Sequence, residues 1–103
     1  MITNHVGKLR ADMEFTTSHN RFRAGQIETM IAEFNRLCTD LGQQIEAEEA
    51  RARIYDPTHF AYPTYAKAAR ERRANVEESA KALSKELNRL RLEATEASSL
   101  LTV

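Results

Sequence analysis

The residues that most often carry catalysis are scattered along this 103-residue sequence rather than grouped. His5, His19 and His59 lie far apart, and none is followed three or four residues later by Cys, Asp or a second His, as a metal-binding helix would require. The chain also has no GxxxxGK[ST] loop to cradle a phosphate. We therefore expect neither a metal site nor a nucleotide site.

The remaining reactive side chains have simpler structural explanations. Cys38 is the only cysteine, so it cannot form an internal disulfide, and it lies on an apolar stripe where a small buried thiol fits. Glu46, Glu48 and Glu49 resemble a carboxylate cluster, but a solvated helix face is by far the better explanation of them. The sequence therefore predicts no enzyme, no catalytic residue and no cofactor.

Two apolar stripes of helical period flank a Pro-containing segment, and they indicate the architecture. The first stripe comprises Ile27, Phe34 and Leu41 with Ile31, Cys38 and Ile45, and the second comprises Ala69, Val76, Leu83, Leu90 and Ala97 with Ala80, Leu87 and Ala94. Opposed residues of an antiparallel pair have numbers with a constant sum. Phe34 with Leu83 gives 117, and Cys38 with Ala80 gives 118. This pattern predicts an all-α protein whose two long helices form an antiparallel coiled-coil hairpin.

The boundaries of this hairpin follow from local signals. We expect one domain over residues 1–103, with helix 1 at about 7–54, a turn at 55–62 and helix 2 at about 63–98. Asp56 precedes Pro57 and is therefore disfavoured in a helical conformation, whereas Pro63 suits a first helical turn. The segment Thr16-Thr-Ser18 is a poor helix interior, but the apolar phase continues through it.

Composition excludes several classes of partner. Fifteen basic and fifteen acidic residues cancel, which removes the usual electrostatic basis for binding nucleic acid or an anionic membrane. No segment approaches 18 consecutive apolar residues, and the N-terminus has no signal-peptide pattern. We expect a cytoplasmic protein that binds no nucleic acid and does not insert into a membrane.

An apolar stripe at the N-terminus has no partner in the predicted register. We call it the N-terminal stripe, and it consists of Ile2, Val6, Leu9 and Met13. Two interpretations stay open, a loosely packed terminus or a surface for a protein partner. If two copies covered these stripes mutually, the protein would be a homodimer.

A second candidate surface lies at the predicted turn. Aromatic side chains concentrate there as Phe60, Tyr62 and Tyr65, beside His59. They could cap the last layer of the core, or they could dock a partner, since aromatic and Arg side chains are common interface anchors.

Charged clusters on the two helices meet near this turn in the predicted register. Helix 1 ends with Glu46, Glu48 and Glu49, and helix 2 begins with Lys67, Arg70, Arg72 and Arg73. The favoured interpretation is pairing across the hairpin. The alternative is that Arg70, Arg72 and Arg73 form an outward basic patch for an acidic partner.

The residues around the turn resemble a known family. The segments Gln43-Gln-Ile-Glu-Ala-Glu-Glu-Ala-Arg51 and Asp56-Pro-Thr-His-Phe-Ala-Tyr-Pro-Thr-Tyr-Ala-Lys-Ala-Ala-Arg-Glu-Arg-Arg73 resemble the alphaproteobacterial branch of FliJ, the coiled-coil protein of the flagellar type III export apparatus. Gln26-Ile-Glu-Thr-Met-Ile-Ala-Glu-Phe34 also fits that branch. The resemblance covers roughly residues 26–94, and the Asp-Pro-Thr-His-Phe-Ala-Tyr-Pro block is its specific part.

The resemblance implies a two-helix coiled coil similar to the stalk subunit of rotary ATPases. It implies a non-enzymatic role in protein export and motility, peripheral at the membrane export apparatus, with the hexameric export ATPase, the cytosolic domain of the export gate and export chaperones as partners. The chain departs from the family at its N-terminus, where the family has a strongly basic helix. The alternative function is a paralogous regulatory adaptor that uses the same hairpin to bind an unrelated protein, such as a transcription factor or kinase.

Overall fold

The protein is all-helical over the residues that the computed structural model describes, which are 2–101 for the backbone and 6–100 for the side chains. It consists of α1 (Ile2–Ala52) and α2 (Thr64–Leu101). The prediction of two long helices in an antiparallel coiled-coil hairpin is confirmed. Contacts divide the chain into two compact units, which we call the turn unit (residues 30–82) and the terminal unit (residues up to 29 with those from 83).

Helix α1 continues through Thr16-Thr-Ser18, where the hydroxyl groups of both threonines donate to backbone carbonyls of the preceding turn. The hydroxyl of Thr16 donates to the Asp12 carbonyl at 2.9 Å, and that of Thr17 donates to the Met13 carbonyl at 2.9 Å. Such bonds to the preceding turn are compatible with a helix interior. The helix accordingly begins at Ile2, before the predicted start near residue 7.

The turn unit has an apolar core at the centre of its two helical segments. Leu41 and Ile45 of α1 pack with Ala69 of α2, and the partly buried Leu37 lies against them. Leu41, Ile45 and Ala69 belong to the predicted stripes. Leu37, which the prediction did not include, lies on the same side of α1 because residues four apart on a helix are neighbours. The heptad pattern therefore identified the buried face correctly.

The predicted register is wrong in this unit. Cys38 Sγ lies 4.0 Å from the carbonyl oxygen of Arg73, whereas the prediction placed Cys38 opposite Ala80, about 10 Å further along α2. Ile45 and Ala69, which share the core, sum to 114 instead of 117 or 118. A slip of one to two turns keeps apolar side chains facing apolar side chains, so the stripes alone could not choose the register.

The terminal unit buries both apolar and polar side chains. Ile27 is fully enclosed, while Thr17 and Asn20 are also buried. Asn20 Nδ2 donates to Glu93 Oε2 at 3.3 Å, and Arg91 bonds to Glu28. The burial of Thr17 shows that α1 is still covered on the N-terminal side of Asn20, where the predicted register left it without a partner on α2.

Residues 53–63 connect the helices through hydrogen-bonded turns. Ile54 N donates to the Glu49 carbonyl at 3.3 Å, and Arg53 adopts a φ of 58°. This is the Schellman arrangement that ends many helices, with arginine at the left-handed position where glycine is usual. Helix α2 then begins after Pro63, whose carbonyl accepts from Lys67 N at 3.0 Å.

Candidate functional site

A network of three polar side chains joins the turn to both helices. The Tyr62 hydroxyl donates to Glu49 Oε2 at 2.8 Å, and Arg70 Nε donates to the Tyr62 oxygen at 2.8 Å. Arg70 Nη2 completes the set with a 3.1 Å ion pair to Glu49 Oε2. Glu49 and Tyr62 are buried, so this network holds the turn against the end of the core.

The electrostatics of this network favour a permanently charged pair. Hydrogen bonds from Tyr62 and then Arg70 lower the pKa of Glu49 below its ordinary value. Hydrogen bonds to Tyr62 and Glu49 raise the pKa of Arg70. A carboxylate stabilised in this way is a poor proton donor near neutral pH, so the geometry suits a structural role.

The turn itself is built around Asp56 and His59. Asp56 Oδ1 accepts from the backbone N of Thr58 at 2.9 Å and from its hydroxyl at 2.7 Å, and these bonds lower the pKa of Asp56. His59 N donates to the Asp56 carbonyl, while His59 Nδ1 accepts from Ala61 N at 3.0 Å. The imidazole therefore uses one nitrogen to fix the backbone.

The turn presents aromatic side chains to solvent on this fixed backbone. Phe60 is 97% exposed, and its ring stacks on His59 with 4.7 Å between centroids. Tyr65 is also exposed and donates its hydroxyl to Gln44 Oε1 at 3.1 Å. Tyr55 adds exposed aromatic surface that the sequence analysis missed, although its place beside the Asp-Pro pair was a usable signal.

The structure separates the aromatic residues that the sequence had grouped. Tyr62 is buried and belongs to the hairpin's own packing, so it serves as the cap that one interpretation expected. Phe60 and Tyr65 remain available to a partner. Tyr62 thus holds in place the turn on which Phe60 is exposed.

The predicted basic patch is likewise divided. Arg70 pairs with Glu49 across the hairpin, as the favoured interpretation expected, and is half-buried. Arg73 is half-buried, with its Nε 3.7 Å from Glu77 Oε1 on the same helix. Arg72 is exposed, whereas Arg70 and Arg73 are half-buried, so it offers the most accessible positive charge of the three.

The N-terminal stripe is partly on view. Val6 and Leu9 are 58% and 50% exposed, whereas Met13 is half-buried. The side chain of Ile2 lies outside the described residues. The stripe therefore offers a short apolar surface at the start of α1.

Two further exposed side chains of α1 escaped the sequence analysis. Phe15 and Phe22 are 73% and 67% exposed, and the Phe15 ring stacks on His19 with 6.2 Å between centroids. Their sevenfold spacing could have indicated them. They lie about half a helical turn around α1 from the buried Ile27 and Asn20, on a face that the predicted helix pairing did not use.

The described residues include an open surface groove and no metal-binding cluster. This groove, of about 610 Å³, is lined by Arg21, Arg91, Ala94, Thr95, Ser98 and Ser99. Over residues 6–100, no three His, Cys, Asp or Glu side chains are close enough to hold a metal ion. In the same part of the chain, neither helix has a stretch long and apolar enough to cross a bilayer.

Comparison with known proteins adds no assignment to this geometry. No protein-family model, curated protein or solved structure matches the chain. A functional assignment must therefore be argued from the turn surface, the N-terminal stripe and the sequence pattern that produces them.

Proposed function

We propose that this protein is a non-enzymatic coiled-coil component of the flagellar type III export apparatus. In this role it binds the export ATPase, and it also binds the cytosolic domain of the export gate or export chaperones. It acts in the cytoplasm, peripheral to the membrane-embedded machinery. The proposal joins the FliJ-like sequence pattern to the two partner surfaces that the described residues leave exposed.

The observation that carries the proposal is the construction of the turn. Glu49, Tyr62 and Arg70 all lie within the segments that resemble FliJ, and together they fix the backbone that displays Phe60. Phe60 is 97% exposed, and exposed aromatic side chains are common anchors of protein interfaces. The most family-like part of the sequence thus builds the most interaction-prone part of the turn unit.

The two surfaces receive different partners under this proposal. Phe60, Tyr65 and Arg72 supply an aromatic surface with one exposed cation, which suits the gate domain or a chaperone. Val6, Leu9 and the half-buried Met13 supply a helical apolar stripe, which suits a groove on the ATPase. The two assignments can therefore be tested with separate variants.

Binding titrations with purified export ATPase and gate domain test these assignments. We expect Phe60→Ala to weaken binding to the gate domain or chaperone by about tenfold or more, as loss of an aromatic anchor does. Leu9→Glu should weaken ATPase binding while leaving the turn-dependent interaction unchanged. Leu92→Ala, which shortens an exposed apolar side chain of α2 outside both proposed surfaces, is the control.

Two results would contradict the proposal in distinguishable ways. Unchanged affinities in both variants would remove the assigned surfaces while leaving an export role open. Absence of binding by the wild-type protein to the ATPase, gate domain and chaperones would remove the export role itself. The regulatory-adaptor alternative would then be favoured, because the same exposed surfaces could serve an unrelated partner.

A further inference from the structure

The outer face of α1 in the terminal unit carries a second heptad pattern that the hairpin does not use. Its larger members are Phe15, Phe22 and Thr29, and its small members are Ala11, Ser18 and Gly25. Spacings alternate four and three along the series, and all six residues are exposed. This is the arrangement of a coiled-coil seam without an occupant.

Gly25 lies on this face at a point where packing within the chain leaves room for a side chain. A glycine inside a helix costs roughly 1 kcal/mol relative to alanine. A Cβ added at Gly25 would have nothing within 4 Å, so packing within the chain does not require the glycine. Its absence of a side chain would, however, let another chain approach closely at this point.

The seam is complementary to itself in one antiparallel register. If residue numbers of facing pairs sum to 40, Phe22 faces Ser18 of a second copy and Phe15 faces Gly25 of that copy. Thr29 then faces Ala11 of the second copy, and the Thr29 hydroxyl is already bonded to the Gly25 carbonyl at 3.2 Å, which leaves its methyl group for packing. Each large side chain thus meets a small one. The large residues occupy one of the two core positions of the heptad and the small residues occupy the other, and the antiparallel register pairs the two kinds of position.

We propose that residues 11–29 of α1 form a homodimer seam, in which two copies pack antiparallel with a two-fold axis near Asn20. Four phenylalanine rings, each with roughly 100–150 Å² exposed, would remove roughly 1,000 Å² once the surface that they cover is counted. That area lies at the lower limit for specific association, so the dimer is weak and depends on concentration. The inference does not depend on the proposed export function.

The charges beside the seam set a salt dependence. Glu14, Arg21 and Glu28 flank one side at sevenfold spacing. The two-fold axis therefore brings Arg21 near Arg21 of the second copy and Glu14 near Glu28 of that copy. Apolar contacts therefore drive association against like-charge repulsion. Added salt screens that repulsion and tightens the dimer.

Sedimentation equilibrium on the full chain tests the inference. We expect the mass to rise with concentration from 11.7 kDa towards twice that value, more readily at high salt. Phe22→Glu should raise the dissociation constant at least tenfold, and Gly25→Leu, which fills the hole, should raise it similarly. Leu92→Glu changes an equally exposed apolar residue of α2 and should leave the dissociation constant unchanged.

Cysteine cross-linking tests the register in a Cys38→Ser background. Ala11→Cys mixed with Thr29→Cys should form a mixed disulfide dimer, while neither variant alone cross-links efficiently. Preferential cross-linking of each variant to itself would overturn the antiparallel register. A strictly monomeric mass at every concentration and salt, with helicity intact, would overturn the homodimer.

Discussion

The turn unit and the terminal unit differ in which side chains they bury and which they expose. In the turn unit, Leu41 and Ile45 are buried against Ala69, and a buried polar network lies beside them. In the terminal unit, Thr17 and Asn20 occupy buried positions while Phe15 and Phe22 face solvent. Both units bury apolar side chains, since Ile27 of the terminal unit is fully enclosed, but the terminal unit also exposes two phenylalanines on one face of α1. A helix face can therefore be apolar without taking part in the hairpin's own core.

Core truncation is the strongest way to test this difference. Leu41→Ala should lower the free energy of unfolding by about 2–4 kcal/mol, because it removes buried methyl groups and leaves a cavity. Phe22→Ala in the terminal unit should change it by less than about 0.5 kcal/mol in the monomer. Urea denaturation followed by circular dichroism measures both, and equal losses would contradict the contrast between the buried core of the turn unit and the exposed face of α1.

Removing one hydroxyl from the turn network should have the next largest effect. Tyr62→Phe deletes the group that donates to Glu49 and accepts from Arg70, and we expect a loss of about 1–2 kcal/mol. Tyr65→Phe, which deletes an exposed bond to Gln44, is the control and should cost under about 0.5 kcal/mol. Thermal melts of the pair would contradict the account if the control were the more destabilised.

Acid should weaken the turn unit through Glu49. Because its pKa is lower in the folded protein than its ordinary value of 4.5, the ionised form stabilises the fold above about pH 4.5. That stabilisation is lost as the pH falls through the lower folded pKa. Glu49→Gln should therefore be less stable than wild type at pH 7, with a smaller difference at pH 3. A difference independent of pH in urea titrations would contradict this role.

The buried asparagine of the terminal unit offers a test in the opposite direction. Asn20→Leu should stabilise the helix pair by about 1 kcal/mol, because an apolar side chain replaces a polar one in the seam. It should also loosen the register, which a buried polar residue helps to fix. Thermal melts would report the gain, and additional NMR resonances would report the alternative registers; a destabilised variant with one set of resonances would contradict both expectations.

Relief of backbone strain at the helix end should give the smallest effect. Arg53→Gly places glycine at the left-handed position and should stabilise the protein by about 0.5–1 kcal/mol. Arg53→Ala removes the same charge without relieving the backbone, so it should give no gain. The difference in urea midpoints between the two variants isolates the conformational contribution.

Much of the fold could be predicted because the residues at Leu41, Ile45 and Ala69 repeat with a helical period. The register could not, since a slip of one to two turns preserves the apolar matching. The contact between Cys38 and Arg73 shows the register that the folded chain adopts. Periodicity contains no information about the path of the turn, which governs where the polar network forms.

The candidate site was predictable in part for a similar reason. Phe60 and Tyr62 are equally aromatic and two residues apart, yet one is exposed and the other buried. Which one folds inward depends on the successive turns that Asp56 and His59 nucleate. The sevenfold spacing of Phe15 and Phe22 was a usable signal for an apolar face of α1 on the side away from the buried Ile27.

The measurement that tests the proposed function most directly is a tagged pull-down of the wild-type protein from its native cells, with Phe60→Ala in parallel and recovered proteins identified by mass spectrometry. The account predicts that the wild type recovers the flagellar export ATPase, the export gate protein or export chaperones. It further predicts that Phe60→Ala loses the gate or chaperone component while retaining the ATPase. Recovery of an unrelated partner, with every export protein missing, would contradict the export role.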